Sequence, residues 1–178
     1  MRYVNKKIID TVFTDTVFTD RYYSKSVFVN CKFIGCHYVT CTFKGCTFKS
    51  CVFSNCTFEG VGALNTRYAY SAFKGCNYLE SHFNGITFDS CSMTNVTHRK
   101  SVFIGGKFDF TAIRDSRYID TQLLSLKVSR GNYKRCLFTN TKIEAEFTYC
   151  YFLEVDFSKA NILGSEFNHP EFDGVILG

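Results

Sequence analysis

From Cys31 to Gly60 the chain reads CKFIG CHYVT CTFKG CTFKS CVFSN CTFEG, a repeat of five residues. A period of five matches neither the 3.6 of a helix nor the 2 of a flat strand. The same frame can be followed in both directions. Positions 3, 8, 13 and onward to 143 carry a large apolar residue at every step except Ala63 and His98. One residue is then missing between Ile143 and Phe147, and the frame resumes at 147 and runs to Leu177. These 36 repeat centres hold 19 of the 20 phenylalanines, Phe110 being the exception. The position two before each centre carries all ten cysteines, and otherwise mostly Ser, Thr, Ala, Val or Gly. Residues two apart on an extended segment share a face. Each repeat therefore offers one small and one large inward residue, and the other three positions carry nearly all the charge.

This pattern of a small residue, a polar residue, a Phe or Leu and two variable residues resembles the pentapeptide-repeat family. The resemblance covers essentially the whole chain. It implies an all-β fold, a right-handed quadrilateral parallel β-helix in which four repeats make one coil. About nine coils then form a single domain over residues 1–178, with a one-residue frame shift between 143 and 147. At ~4.8 Å between neighbouring strands the rod is roughly 43 Å long.

The composition agrees with an ordered, non-membrane chain. Aromatics make up 17% of the residues, far from the aromatic-poor composition of disordered chains. No apolar run approaches the roughly 18 residues of a membrane span. The N-terminus MRYVNKKIID lacks the apolar core of a signal peptide, so the expected compartment is the cytoplasm, where thiols stay reduced. Cys31 and Cys51 would stack on one face, as would Cys36, Cys56 and Cys76. Stacked side chains point the same way, however, and the C-x-x-x-x-C spacing is wider than zinc sites favour. The cysteines read as small hydrophobes filling the narrow inward position. Neither a metal nor a cofactor is expected. No nucleophile, base or carboxylate pair forms a catalytic constellation, so the chain reads as a non-enzyme.

The outer surface is the place to look for function. Residues 1–140 hold 19 Lys and Arg against 9 Asp and Glu, whereas residues 141–178 hold 2 against 7. Stacking by twenty gives one corner the order Tyr70, Ser90, Phe110, Arg130, Tyr149, His169. Lys107 and Lys127 are expected on one flank, and Arg114 and Lys134 on the other, with Tyr151 following. Exposed aromatics beside Arg are a common hot-spot composition. His98, Arg99, Lys100 and Arg117 form a second candidate basic patch.

The resemblance also suggests a function class. Some family members protect DNA gyrase from quinolones or peptide toxins, and the Cys- and Phe-rich run at 31–60 is similar to the quinolone-resistance members. Those members imitate duplex DNA. DNA carries one charge per ~1.7 Å, so a 43 Å imitation needs about 25 negative charges. The net charge here is +5, which leaves only the acidic last coils to imitate phosphates. The expected function is docking of the rod on a protein partner, as inhibitor or protector of a nucleic-acid enzyme such as a gyrase-type topoisomerase or a phage-targeted CRISPR complex. Direct nucleic-acid binding by the basic body and a purely structural or adhesive role are the alternatives. The repeat runs into Phe172, Val175 and Leu177, which predicts an apolar C-terminal end and a homodimer formed there, while basic residues at 2–7 discourage edge pairing at the other end.

Overall fold

The computed structural model describes residues 2–178 as a four-sided parallel β-solenoid of about nine coils. Most repeats form a three-residue strand whose middle residue points inward. Thr47–Lys49 is typical: Phe48 is buried, while Thr47 and Lys49 face outward. The residue two after most centres sits at a corner with φ near +50 to +60°, which turns the chain onto the next face. After four corners the chain lies over its own start. Phe48 therefore pairs with Phe28 on one side and Tyr68 on the other.

Two backbone hydrogen bonds recur at each step. The corner N–H donates to the following coil, as Asn30 does to the Lys49 carbonyl at 3.0 Å. The residue before the centre donates to the preceding coil, as Val52 does to the Cys31 carbonyl at 2.9 Å. We number the faces from the first coil: the first contains Tyr3, the second Ile8, the third Phe13 and the fourth Phe18.

Twenty-residue stacking places ring over ring. On the fourth face Phe18, Tyr38, Phe58, Tyr78, His98, Tyr118, Phe138 and Phe157 form one unbroken column, with centroid separations from 4.4 to 4.9 Å. Neighbouring faces meet edge to face, as Phe48 and Phe53 do at 5.6 Å. Both geometries are favoured by the aromatic quadrupole.

The small inward position has a polar task as well as a spatial one. The Ser71 hydroxyl lies 3.0 Å from the Ala69 carbonyl and 3.3 Å from that of Phe48. The Cys91 thiol sits the same way, 3.4 Å from both the Asp89 and the Tyr68 carbonyls. Burial pushes the thiols up, Cys51 and Cys136 to about 12 and Cys91 to about 11. They remain protonated donors at neutral pH. All ten cysteines are free and buried.

The frame break is a lost corner. Leu124 pairs with Glu144 and Leu126 with Ala145, so Ser125 has no counterpart in the next coil. The strand Leu137–Thr148 then runs through three faces without interruption. An open groove of about 410 Å³, lined by Ser125, Lys127, Glu144, Glu146, Gly164 and Glu166, occupies the notch. Among the described residues no helix is long and apolar enough to cross a membrane.

Candidate functional site

The corner between the second and third faces carries the aromatic column expected from the repeat. Its residues Tyr70, Ser90, Phe110, Arg130, Tyr149 and His169 all have φ between 49° and 53°. Asp, Asn and Gly occupy this conformation readily, whereas larger residues held there carry strain of roughly 1–3 kcal/mol each. Earlier coils place Asp10, Asn30 and Ser50 at the same corner. From Tyr70 onward the corner is bulky and exposed except at the half-buried Ser90: Tyr70 is 62%, Phe110 53% and Tyr149 58% accessible.

These side chains contact one another in pairs. The Arg130 guanidinium carbon lies 4.9 Å from the Phe110 ring centroid. Tyr149 stacks on His169 at 4.9 Å with the ring planes 8° apart. The result is a ladder of flat groups along one edge of the rod. Within these two pairs each side chain is held by its partner, which lowers the entropy lost when a client covers them.

The flanks differ from the sequence expectation. Lys107 and Lys127 do stack, but on the far side of the second face, beside the corner formed by Gly105 and Ser125. Lys127 reaches Glu146 at 3.9 Å. Arg114 and Lys134 stack on the far side of the third face. They adjoin the next corner, where Arg135 donates two hydrogen bonds to Asp115 at 2.6 and 3.0 Å. Tyr151 does not continue their column: it pairs with Asn132, and Leu153 follows Lys134. The missing corner residue displaces the numbering by one, and within each face Tyr151 precedes its centre whereas Lys134 follows one. Tyr151 instead lies on the strip next to the ladder, in line with Ala112 and Asn132.

The second candidate patch loses its histidine. His98 is 2% exposed and lies between Tyr78 and Tyr118, with the edge of Phe103 at 5.2 Å. Its Nδ1 is buried without a hydrogen-bond partner. Burial pulls its pKa down to about 3, so it is a neutral ring of the aromatic column. A flat imidazole replaces a flat phenyl there. Arg99, Lys100 and Arg117 remain exposed, and Lys100 reaches Glu80 at 3.7 Å.

At the last coil Phe172 is 47% and Leu177 59% exposed, and Val175 is partly buried. Two neighbours that the repeat frame did not single out, Leu163 and Ile176, are 94% and 55% exposed.

The pentapeptide-repeat family, described as pentapeptide repeats, matches residues 25–61 in eight copies. Residues 25–61 thus carry pentapeptide repeats, and the chain as a whole shares the fold of pentapeptide-repeat proteins. No curated protein sequence matches it. Among solved structures, one trypsin-treated variant of QnrB1, a plasmid-mediated fluoroquinolone resistance protein, superimposes with a TM-score of 0.63 at 13% identity, covering 96% of this chain and 91% of that one. A second trypsin-treated variant of the same protein gives 0.59 at 15% identity, with 97% and 92% covered. HetL, a pentapeptide-repeat protein involved in heterocyst differentiation regulation from the cyanobacterium Nostoc sp., gives 0.55 at 7% identity, with 98% and 88% covered. At these identities the likeness is one of fold.

Proposed function

We propose that this chain is a non-enzymatic docking protein. The corner ladder of Phe110, Arg130, Tyr149 and His169 is its contact edge, and its client is a protein that acts on nucleic acid. The observation that carries this reading is the persistence of bulky, exposed side chains at left-handed corner positions over successive coils. The fold alone would be better served there by Asn, Asp or Gly. Aromatic and Arg side chains in a mutually supported array are the groups that dominate protein interfaces.

The fold likeness to a fluoroquinolone resistance protein makes a gyrase-type topoisomerase the first client to test, with a phage-targeted CRISPR complex next. Within residues 1–140 Arg67 is held by Asp89, Arg135 by Asp115, Lys100 by Glu80 and Lys127 by Glu146. These four leave most of the basic body's cations available to phosphates, so direct nucleic-acid binding is the reading to test beside docking on a protein.

The test is a gyrase supercoiling assay with a fluoroquinolone, run beside duplex-DNA binding at two salt concentrations. The reading predicts restored supercoiling with the wild-type chain and loss of that effect in Arg130→Glu. Salt-sensitive DNA binding that Arg130→Glu leaves intact would instead assign the basic body to nucleic acid. Capture of a defence-complex subunit after nuclease treatment, with no effect on gyrase, would redirect the reading to that client.

A further inference from the structure

The corner ladder has one short rung. Tyr70 and Phe110 stand two coils apart on the corner between the second and third faces, and the residue between them is Ser90. We propose that an arginine side chain of the client protein fills this rung, its guanidinium lying flat between Tyr70 and Phe110 and donating to the carboxylates of Asp89 and Asp109. The proposal rests on the ladder being the contact edge, and it names the group of the client that the edge receives.

The spacing fits one flat group. Coils lie ~4.8 Å apart, so Tyr70 and Phe110 are separated by about 9.6 Å along the rod. The backbone keeps these corners in register. The Tyr70 N–H donates to the Asp89 carbonyl and the Ser90 N–H to that of Asp109, both at 2.9 Å. The filled rungs of the same corner show the matching repeat, 4.9 Å from Arg130 to Phe110 and 4.9 Å from Tyr149 to His169. Arg130 lies over one face of the Phe110 ring, which leaves the opposite face, towards Ser90, to a second flat group. Ser90 itself is half-buried, and its hydroxyl turns aside to donate to Asp89 Oδ1 at 3.0 Å. The two exposed rings thus bound a slot with a polar floor.

Charge selects the occupant. Asp89 and Asp109 pair in register on adjacent coils, each one residue before the corner. Asp89 is held by Arg67. Asp109 is half-buried, takes part in no ion pair among the described residues, and has an Oδ1 without a hydrogen-bond partner. A cationic donor brought by a partner relieves a carboxylate left in that state. Among protein cations only a guanidinium is flat enough to stack on rings while its edge N–H groups reach carboxylates. An ammonium has the charge without the plane. A nucleobase has the plane, but its phosphates come with it and are repelled by the two acids. Arg130 on Phe110 is the same contact made within the chain.

Nuclear magnetic resonance titration of the full chain with N-acetyl-arginine amide tests the proposal, read at the ring protons of Tyr70 and Phe110. N-acetyl-lysine amide and adenosine monophosphate are the comparison probes. The expected result is a saturable shift of both rings with the arginine probe and binding of the lysine probe weaker by about fivefold or more. Ser90→Tyr fills the rung with a side chain that this corner already carries at Tyr70 and Tyr149, and it should abolish the shift. Asp109→Asn leaves the rings in place and should weaken the arginine probe about fivefold. Circular dichroism checks that both variants keep the β fold. The proposal is overturned by the absence of a saturable shift, by equal affinity for the arginine and lysine probes, or by undiminished binding to Ser90→Tyr. Adenosine monophosphate binding more tightly than the arginine probe, and lost in Ser90→Tyr, would overturn it in favour of a nucleic-acid base. In the supercoiling assay, loss of the effect in Arg130→Glu but not in Ser90→Tyr would keep the ladder as the contact edge and remove the slot alone.

Discussion

The guanidinium of Arg130 lies over the Phe110 ring at 4.9 Å, and both residues occupy left-handed corners of successive coils. An exposed cation–π contact contributes about 0.5–1 kcal/mol, less than the combined strain of two large residues at positive φ. The pair is thus better explained by what it presents than by what it holds together. Tyr70, in the same column with φ 53°, gives the cleanest test of the strain. Tyr70→Asn should raise stability by about 0.5–1 kcal/mol, read as a higher denaturation midpoint. Arg130→Ala should leave the midpoint within ~0.5 kcal/mol of wild type while weakening the client complex about tenfold or more. An Arg130→Ala chain with full client affinity would remove the ladder from the interface.

His98 makes stability depend on pH. Its pKa is about 3 in the fold and near 6.5 in the unfolded chain. Between these values the unfolded state binds a proton that the folded state refuses. Stability therefore falls as pH drops from about 6.5 towards 3, by up to about 1.4 kcal/mol per pH unit. His98→Phe continues the ring column and removes the unpartnered Nδ1. Urea midpoints at pH 7 and pH 4.5 should differ more in the wild type than in His98→Phe. Equal differences would mean that the imidazole is hydrated in the fold.

The five-residue frame made the fold legible because each side of the coil needs one small and one large inward residue. That demand is local and leaves a mark in every repeat, so the core, the corners and the stacking by twenty could be read directly. The position of His98 was legible by the same rule: it occupies a centre and is buried there. Its inclusion in a surface patch came from grouping it with Arg99 and Lys100, although successive residues of a strand point to opposite sides. Tyr151 was misplaced for a related reason: with the lost corner allowed for, Leu153 follows Lys134, whereas Tyr151 precedes its centre and follows Asn132. Which side chains touch along the ladder depends on rotamers, and spacing does not encode those.

The core should discriminate sharply between adjacent residues. Phe48 is buried and stacked on Phe28 and Tyr68, whereas Lys49 is exposed. Phe48→Ala should lower stability by ~3–5 kcal/mol, and Lys49→Ala should be nearly neutral. Chemical denaturation of the two variants decides it, and comparable losses would place the core on the wrong residues.

The thiols should be silent until the coil opens. All ten are buried away from reagent, and burial also pushes Cys51, Cys91 and Cys136 up so that they stay protonated at neutral pH. A disulfide reagent should modify none of the ten in the native state, and then all of them at the rate of global unfolding. Early reaction of Cys150 alone would show instead that the last coils open as a separate unit.

Gly106 supplies the last test, because two glycines of this chain should respond oppositely to the same change. At Gly106 φ is 153°, and an added Cβ would lie 2.6 Å from the Ile86 carbonyl oxygen. The coils on either side place Ile86 and Leu126 at the equivalent inward position, both buried. Their side chains are larger than the Ser, Thr or Cys usual there, and the absent side chain at 106 accommodates them. Backbone cannot withdraw as a flexible side chain can, so Gly106→Ala should cost about 2–3 kcal/mol or more. Gly62 has no atom within 4 Å of an added Cβ and no positive φ, and Gly62→Ala should be neutral or stabilising by up to ~1 kcal/mol. Thermal melts of the two variants report the sign directly. A Gly106→Ala chain as stable as the wild type would show that the second face can spread at this coil, and that the close approach of its strands there is not required.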